Sequence, residues 1–349
     1  MQTKRKSFET CTYIFYDGRK KDLKKLIIPL FWEQFLEVFV GTADIYMISR
    51  AGEAAVSGVF LVNMFNTVFL FLFAALASGG AVVVSQYIGN KNKENGNFSA
   101  GQLVTISTFF SVIIMIAVLI FNRQLLRLLF GEVENDVMNA CIAYLRISAY
   151  SYPAVAVYNA GAAVCRSMGK TDVTMYLSVI SNVINIVGNA IGVFVLHMGV
   201  AGVAYPSLIA RSFSATGVMI LCLNRKNEVF LEMKNLIRWN QTMIRRILGI
   251  AVPNGIENGL FQLVKVALSS ITALFGTVQI AANGVAQSFW SLAALLGTAM
   301  GLAFVTVIGQ CVNSGVCAPC FKILFRWWFV CRTIWKSADR HHSKEPAWK

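Results

Sequence analysis

The sequence predicts an all-α polytopic membrane protein with about eight transmembrane helices, and three observations carry that prediction. Apolar residues fill 56 % of the 349 positions and charged residues only 14 %, against about 25 % charged in ordinary soluble domains. The apolar residues fall into runs long enough to cross a bilayer, and the basic residues gather in alternate connections between those runs. A single aqueous core would leave much of this apolar surface in water, so the bilayer is the better solvent. The net charge of +14 flanks the apolar runs, as the positive-inside rule describes. It does not mark a nucleic-acid-binding module, so the expected partner is membrane lipid and not nucleic acid.

A spanning helix needs about 20 mostly apolar residues to cross ~30 Å of hydrocarbon. The first candidate span, 26–49, follows a basic segment, 1–25, that has no apolar run before Leu26; a cleaved signal is not expected. The second, 54–88, exceeds the minimum length and has room to tilt. The third, 101–121, lies between Lys91 and Lys93 on one side and Arg123 and Arg127 on the other. The fourth, 138–164, follows the acidic Glu132, Glu134 and Asp136 and stops before Arg166. The fifth and sixth, 174–197 and 200–223, are separated by a short turn at Gly199. A polar linker, 224–245, precedes the seventh and eighth spans, 246–274 and 279–309.

Orientation follows from the connections. Lys and Arg crowd the N-terminal segment and the second, fourth and sixth connections, whereas the opposite connections hold only Arg50, Arg123 and Arg127. The bias predicts a cytoplasmic N-terminus in a plasma (inner) membrane. An internal repeat divides the chain: Pro29 and Pro253, Glu33 and Glu257, Gly52 and Gly276, and Gln86 and Gln310 are each 224 positions apart. Repeats of this kind are common in transporter folds. The expected organisation is thus a six-helix N-lobe over 26–223 and the first two helices of a second, incomplete lobe over 246–312. Residues 313–349 change character, with Trp327, Trp328, Trp335 and Trp348 and a cluster of cysteines. That tail reads as aberrant and out of frame, with Phe321–Trp335 as a basic aromatic surface helix. Cys317 and Cys320 lack a convincing second ligand pair for zinc, because His341 and His342 are adjacent. Cys141, Cys165 and Cys222 read as small buried hydrophobes.

Ionisable groups inside a membrane cost at least ~2.5–3.5 kcal/mol on insertion scales and so mark function by default. Glu33, Glu37 and Asp44 fall within about 40° of one another on the first helix. Asn182, Asn185 and Asn189 share one face of the fifth within about 60°, as the lining of a polar cavity would. Glu257 and Lys265 lie within about 80° on the seventh and are expected to neutralise each other. Arg146 and Arg211 have no partner legible in the sequence. Gly169-Lys170-Thr171 resembles the end of a phosphate-binding loop, but Val164 occupies its first glycine position; no ATP-driven motor is expected. Nothing suggests a nucleophilic catalytic set, so the chain does not read as an enzyme.

The ordered motifs resemble those of the multidrug and toxic compound extrusion (MATE) family. They are Pro29-x-x-x-Glu33, Val40-Gly41-Thr42-Ala43-Asp44 and Gly52; Ser85-Gln86-x-x-Gly89; and Arg166-Ser167-Met168-Gly169-Lys170-Thr171 with the asparagine stripe. Gly199-Val200-Ala201-Gly202-Val203-Ala204, Pro253-x-x-x-Glu257, Ala281-Ala282-Asn283 and Gly309-Gln310 follow. The resemblance covers roughly 20–312. It implies twelve spans in two lobes that alternate access to a central cavity, with export of organic, often cationic, compounds driven by H+ or Na+ and no bound cofactor. Asp44, Asn185 and Asn189 match its ion- or proton-coupling positions, and Asn182 shares their stripe. Glu33, Gln34, Glu37, Glu257 and Asn283 are the cavity-lining candidates. The family often has Asp where Asn189 stands, and one branch has Glu where Phe261 stands, so sodium coordination is not carried to Glu257. On this reading spans nine to twelve are absent and the polypeptide alone does not confer export. The competing expectations are a flippase of lipid-linked or polysaccharide intermediates and a non-transporting truncated membrane protein.

Overall fold

A computed structural model describes residues 19–48, 53–130, 135–232, 234, 238–273 and 277–313. The described residues are almost entirely helical: α1 (Arg19–Ile48), α2 (Glu53–Gly89), α3 (Lys93–Phe130), α4 (Asn135–Tyr150), α5 (Tyr152–Ser167), α6 (Thr171–Ala190), α7 (Ala201–Leu223), α8 (Gln241–Ala273) and α9 (Thr277–Asn313). A π-helical turn, Ile191–Val195, extends α6. Among the described residues, six stretches are long and apolar enough to cross a membrane: Leu26–Ile48, Ala55–Gly89, Lys93–Leu128, Thr171–Val195, Ala201–Leu223 and Ala293–Gln310. The seventh expected span is present as α8, but Asn254, Glu257, Asn258 and Gln262 dilute its apolar character. The tail from residue 314, with its cysteines, tryptophans and histidines, lies outside the described residues, as do Arg50, Gly52, Glu132, Glu134 and Gly276.

The fourth span differs from expectation. It is not one helix but two of 16 residues each, α4 and α5, each about 24 Å long. Pro153 in the first turn of α5 has no N–H to continue the ladder. The chain nevertheless runs on without a loop: Ser151 N donates to Ser148 O at 3.0 Å and Val155 N to Ser151 O at 2.9 Å. Likewise α3 departs from helical backbone at Phe121, where the expected third span ends, and continues to Phe130. The linker is shorter than the pattern suggested, because α8 already begins at Gln241.

Helix α2 is the central element, packed against α3, α4, α5, α8 and α9. Its run Ala74-Ala75-Leu76-Ala77-Ser78-Gly79-Gly80-Ala81 lets neighbouring backbones come close, as small residues do in membrane interiors. A Cβ on Gly79 would meet the backbone N of Ala251 on α8 at 2.8 Å. The α9 helix closes on the far end of α2, where a Cβ on Gly309 would meet Cβ of Ser85 at 2.5 Å. Helix α1 packs against α6 and α9, and α7 against α5 and α6. At the α6–α7 crossing Gly192 and Gly202 meet backbone to backbone; a Cβ on Gly202 would lie 2.7 Å from the Gly192 carbonyl carbon.

The linker after α7 is strapped to the first lobe by buried amides of α3. Phe230 N donates to Asn97 Oδ1 at 2.9 Å. Asn240 N donates to Gln102 Oε1 at 3.0 Å, and Gln102 Nε2 donates to the Arg238 carbonyl. Cys141, Cys165 and Cys222 are buried free thiols, as their apolar surroundings predict.

Candidate functional site

Helices α1, α6 and α7 bring a carboxylate, two amides and a hydroxyl into one chain of hydrogen bonds. Asn189 Nδ2 donates to Asp44 Oδ1 at 2.7 Å and to Asn185 Oδ1 at 3.1 Å. Asn185 Nδ2 donates in turn to Ser207 Oγ at 2.9 Å. One helical turn separates Asn185 from Asn189, which puts both on the face of α6 that meets α1 and α7. Both N–H groups of Asn189 are thereby used, while its Oδ1 is buried without a hydrogen-bond partner. Orphaned buried acceptors are uncommon in native interiors. This one lies one amide away from a half-buried carboxylate.

Asn182 occupies the same stripe but not the same network. Its Nδ2 is buried with no partner, and the chain of contacts runs from Asn185 towards Asn189 instead. Arg211 finds the partner the sequence withheld: its Nη1 donates to Ser151 Oγ at 2.8 Å, at the α4–α5 break. Tyr152 Oη donates to Asn66 Oδ1 at 2.6 Å and Tyr144 Oη to Asn63 Oδ1 at 3.2 Å. A polar seam therefore threads the first lobe from α1 to α2.

The remaining candidates separate into different environments. Glu33 is 5 % exposed, closed in by α5 and α6. Arg166 Nη2 pairs with Glu33 Oε1 at 3.4 Å, and Tyr158 Oη donates to the same oxygen at 3.2 Å. Thr174 Oγ1 lies 3.2 Å from Glu33 Oε2 and 3.0 Å from the Thr171 carbonyl, so its one proton serves one acceptor at a time. Glu33, expected as a cavity-lining residue, is thus buried and held by side chains of α5 and α6. Glu37 is exposed and accepts from Gln34 Nε2 at 3.4 Å. Glu257 is exposed as well, and the expected pairing with Lys265 is not made: Lys265 Nζ sits 4.9 Å from the centroid of the Phe261 ring. Eight residues rise about 12 Å along a helix, so the two side chains start two turns apart on α8. Arg146 is exposed. The side chain of Asn283 lies outside the described residues.

Sequence reasoning missed Ser207, Ser151, Tyr158, Thr174, Asn63 and Asn66. One signal was available, since Arg166 falls only two residues beyond the fourth expected span, 138–164, and a cation so near the apolar layer needs a partner.

The all-α architecture with a central small-residue helix and a polar seam is that of a polytopic transporter fold. The structure superposes on a MOP-superfamily transporter from Pyrococcus furiosus with a TM-score of 0.79 and 21 % identity, over 85 % of this chain and 66 % of that one. It superposes with a TM-score of 0.78 on an outward-facing multidrug resistance MATE family transporter, again over 85 % and 66 %. Residues 29–191, a little under half of the chain, match the MatE family model. The uncharacterized transporter YisQ of Bacillus subtilis is 25 % identical over 296 residues, 84 % of this chain and 64 % of that protein. The multidrug export protein MepA of Staphylococcus haemolyticus is 23 % identical over 276 residues, 78 % and 60 % respectively. The chain therefore spans less than two thirds of these relatives.

Proposed function

We propose that this chain carries the coupling lobe of a cation-driven carrier that exports small organic, often cationic, compounds. The observation that supports the reading is the Asp44–Asn189–Asn185–Ser207 chain with its orphaned Asn189 oxygen. A half-buried carboxylate in an apolar surround is costly when charged and unaccompanied. It is relieved by taking a proton or a small cation. With a proton on Asp44, rotation of the Asn189 amide lets the new O–H donate to Oδ1. With sodium, the carboxylate and the Asn189 and Asn185 carbonyl oxygens form a hard-oxygen set of the kind such ions prefer. Either event rearranges α1 against α6, which is the movement an ion-coupled carrier needs. The relatives that bear multidrug names support the substrate class, and the basic bias of the N-terminus and linker supports their placement in the cytoplasm. The energy source on this reading is an ion gradient and not a nucleotide.

The test is ion-linked ligand binding by the purified chain. A cationic dye such as ethidium is expected to bind, and acidification or added sodium to weaken that binding, with Asp44→Asn abolishing the ion effect. Dye binding that is indifferent to both ions, or an ion effect that survives Asp44→Asn, sinks the proposal.

A further inference from the structure

The end of the linker presents an aromatic side chain outward at the edge of the lipid-facing surface. Trp239 is 55 % exposed and Phe109 of α3 is 50 % exposed. Their rings meet edge to face with centroids 5.7 Å apart. Phe109 is the first of a stripe of exposed apolar side chains, with Ile113, Ile116 and Ile120, that runs along the apolar length of α3. Such a stripe in a spanning helix faces acyl chains. One to two turns before it, Gln102 and Thr105 replace the apolar residues, so Trp239 sits where the lipid-facing stripe ends.

Trp239 is held there by its neighbours. Gln102, fully buried, grips the Arg238 carbonyl and the Asn240 N–H on either side of it. Asn240 then caps α8 by accepting from Met243 N at 3.0 Å. Both peptides flanking Trp239 are thereby fixed. Arg238 and Arg245 are exposed on the same short segment, while Arg246 is occupied by Tyr87 Oη at 3.0 Å and Gln86 Oε1 at 3.4 Å.

We propose that this corner, formed by Phe109, Arg238, Trp239 and Arg245, binds the headgroup of an anionic phospholipid. Tryptophan at headgroup level has its apolar ring in the acyl boundary and its N–H in the wet layer. The two arginines supply charge and planar donors matched to a phosphate. The choice of lipid over protein rests on this complementarity and on continuity with the α3 stripe. The proposal requires only that the chain lies in a bilayer and stands apart from the transport reading.

Native mass spectrometry of the full chain in mild detergent, with equal phosphatidylglycerol and phosphatidylcholine added, decides the matter. Phosphatidylglycerol is expected to be retained in preference, and R238Q/R245Q to lower its retention by about fivefold per arginine. The control R123Q/R127Q removes the same charge from exposed sites elsewhere on α3 and is expected to leave retention unchanged. W239A is expected to weaken retention of the bound lipid while the arginines remain. Equal retention of both lipids by the wild type overturns the proposal. So does an equal loss in the control, or a dimer that depends on Trp239 and excludes lipid. Should R238Q/R245Q fail to fold, the wild-type melting temperature decides: a larger rise with phosphatidylglycerol supports the site, and identical rises overturn it.

Discussion

Glu33 and Glu257 stand 224 positions apart, each four residues after a proline in the opening helix of its unit, yet their surroundings share little. Glu33 is buried and tied to Arg166 and Tyr158, whereas Glu257 is exposed and makes no ion pair among the described residues. The repeat fixes where a carboxylate falls on a helix. What surrounds it comes from other helices, since Arg166 and Tyr158 lie on α5 and Thr174 on α6. The described part of the second unit contains no counterparts of those two helices. A contact between the units reinforces the point: Ser85 and Gly309 are themselves 224 positions apart, and they touch.

The comparison breaks most visibly if the two carboxylates respond alike to removal. Glu33→Ala is expected to cost about 3–5 kcal/mol, because it leaves Arg166 buried and uncompensated; Glu257→Ala is expected to stay within about 0.5 kcal/mol. Thermal unfolding in detergent measures both, and equal losses would show that the environments do not differ as described. A smaller effect is expected at the contact of α2 with α9. Gly309→Val drives a branched side chain into Ser85 and costs about 1–3 kcal/mol, and a cysteine pair across α2 and α9 should then cross-link more slowly. Gln102→Leu strips the strap of its bidentate partner for about 1–2 kcal/mol. Hydrogen exchange at Asn240 should rise while exchange in the middle of α5 stays slow; unchanged exchange at Asn240 would show that the linker is held some other way. Below the strap comes Tyr152→Phe, at about 1 kcal/mol, read as a shift in melting temperature that Tyr150→Phe on the exposed surface should not reproduce.

Much of the helix pattern was legible because a span announces itself through composition over some twenty positions, and composition survives ignorance of packing. The break at Ser151 was less legible. The apolar run crosses it without interruption, and only Pro153 hints that the ladder stops. The asparagine stripe on α6 was visible as a helical face, and the structure joins two of its three members to Asp44. The exclusion of Asn182 was not visible, since a wheel gives direction around one helix but not the depth at which another helix arrives. The pairing of Arg211 with Ser151 spans 60 positions and that of Glu33 with Arg166 spans 133, beyond the reach of any local pattern. Expecting Glu257 and Lys265 to pair failed for the converse reason. Closeness on a wheel does not outweigh what the aromatic ring of Phe261 offers an ammonium group.

The glycine crossing of α6 and α7 sets the mechanics of the polar chain. With Gly192 and Gly202 in backbone contact, the two rods share a fulcrum with no slack, only a turn from Asn189 and five residues from Ser207. Relative motion of the rods is smallest at that pivot and grows towards Thr171 and Leu223. Under the proposed coupling, a sub-ångström adjustment of the amide against Asp44 would become a wider sweep at the far end, where α6 meets Glu33.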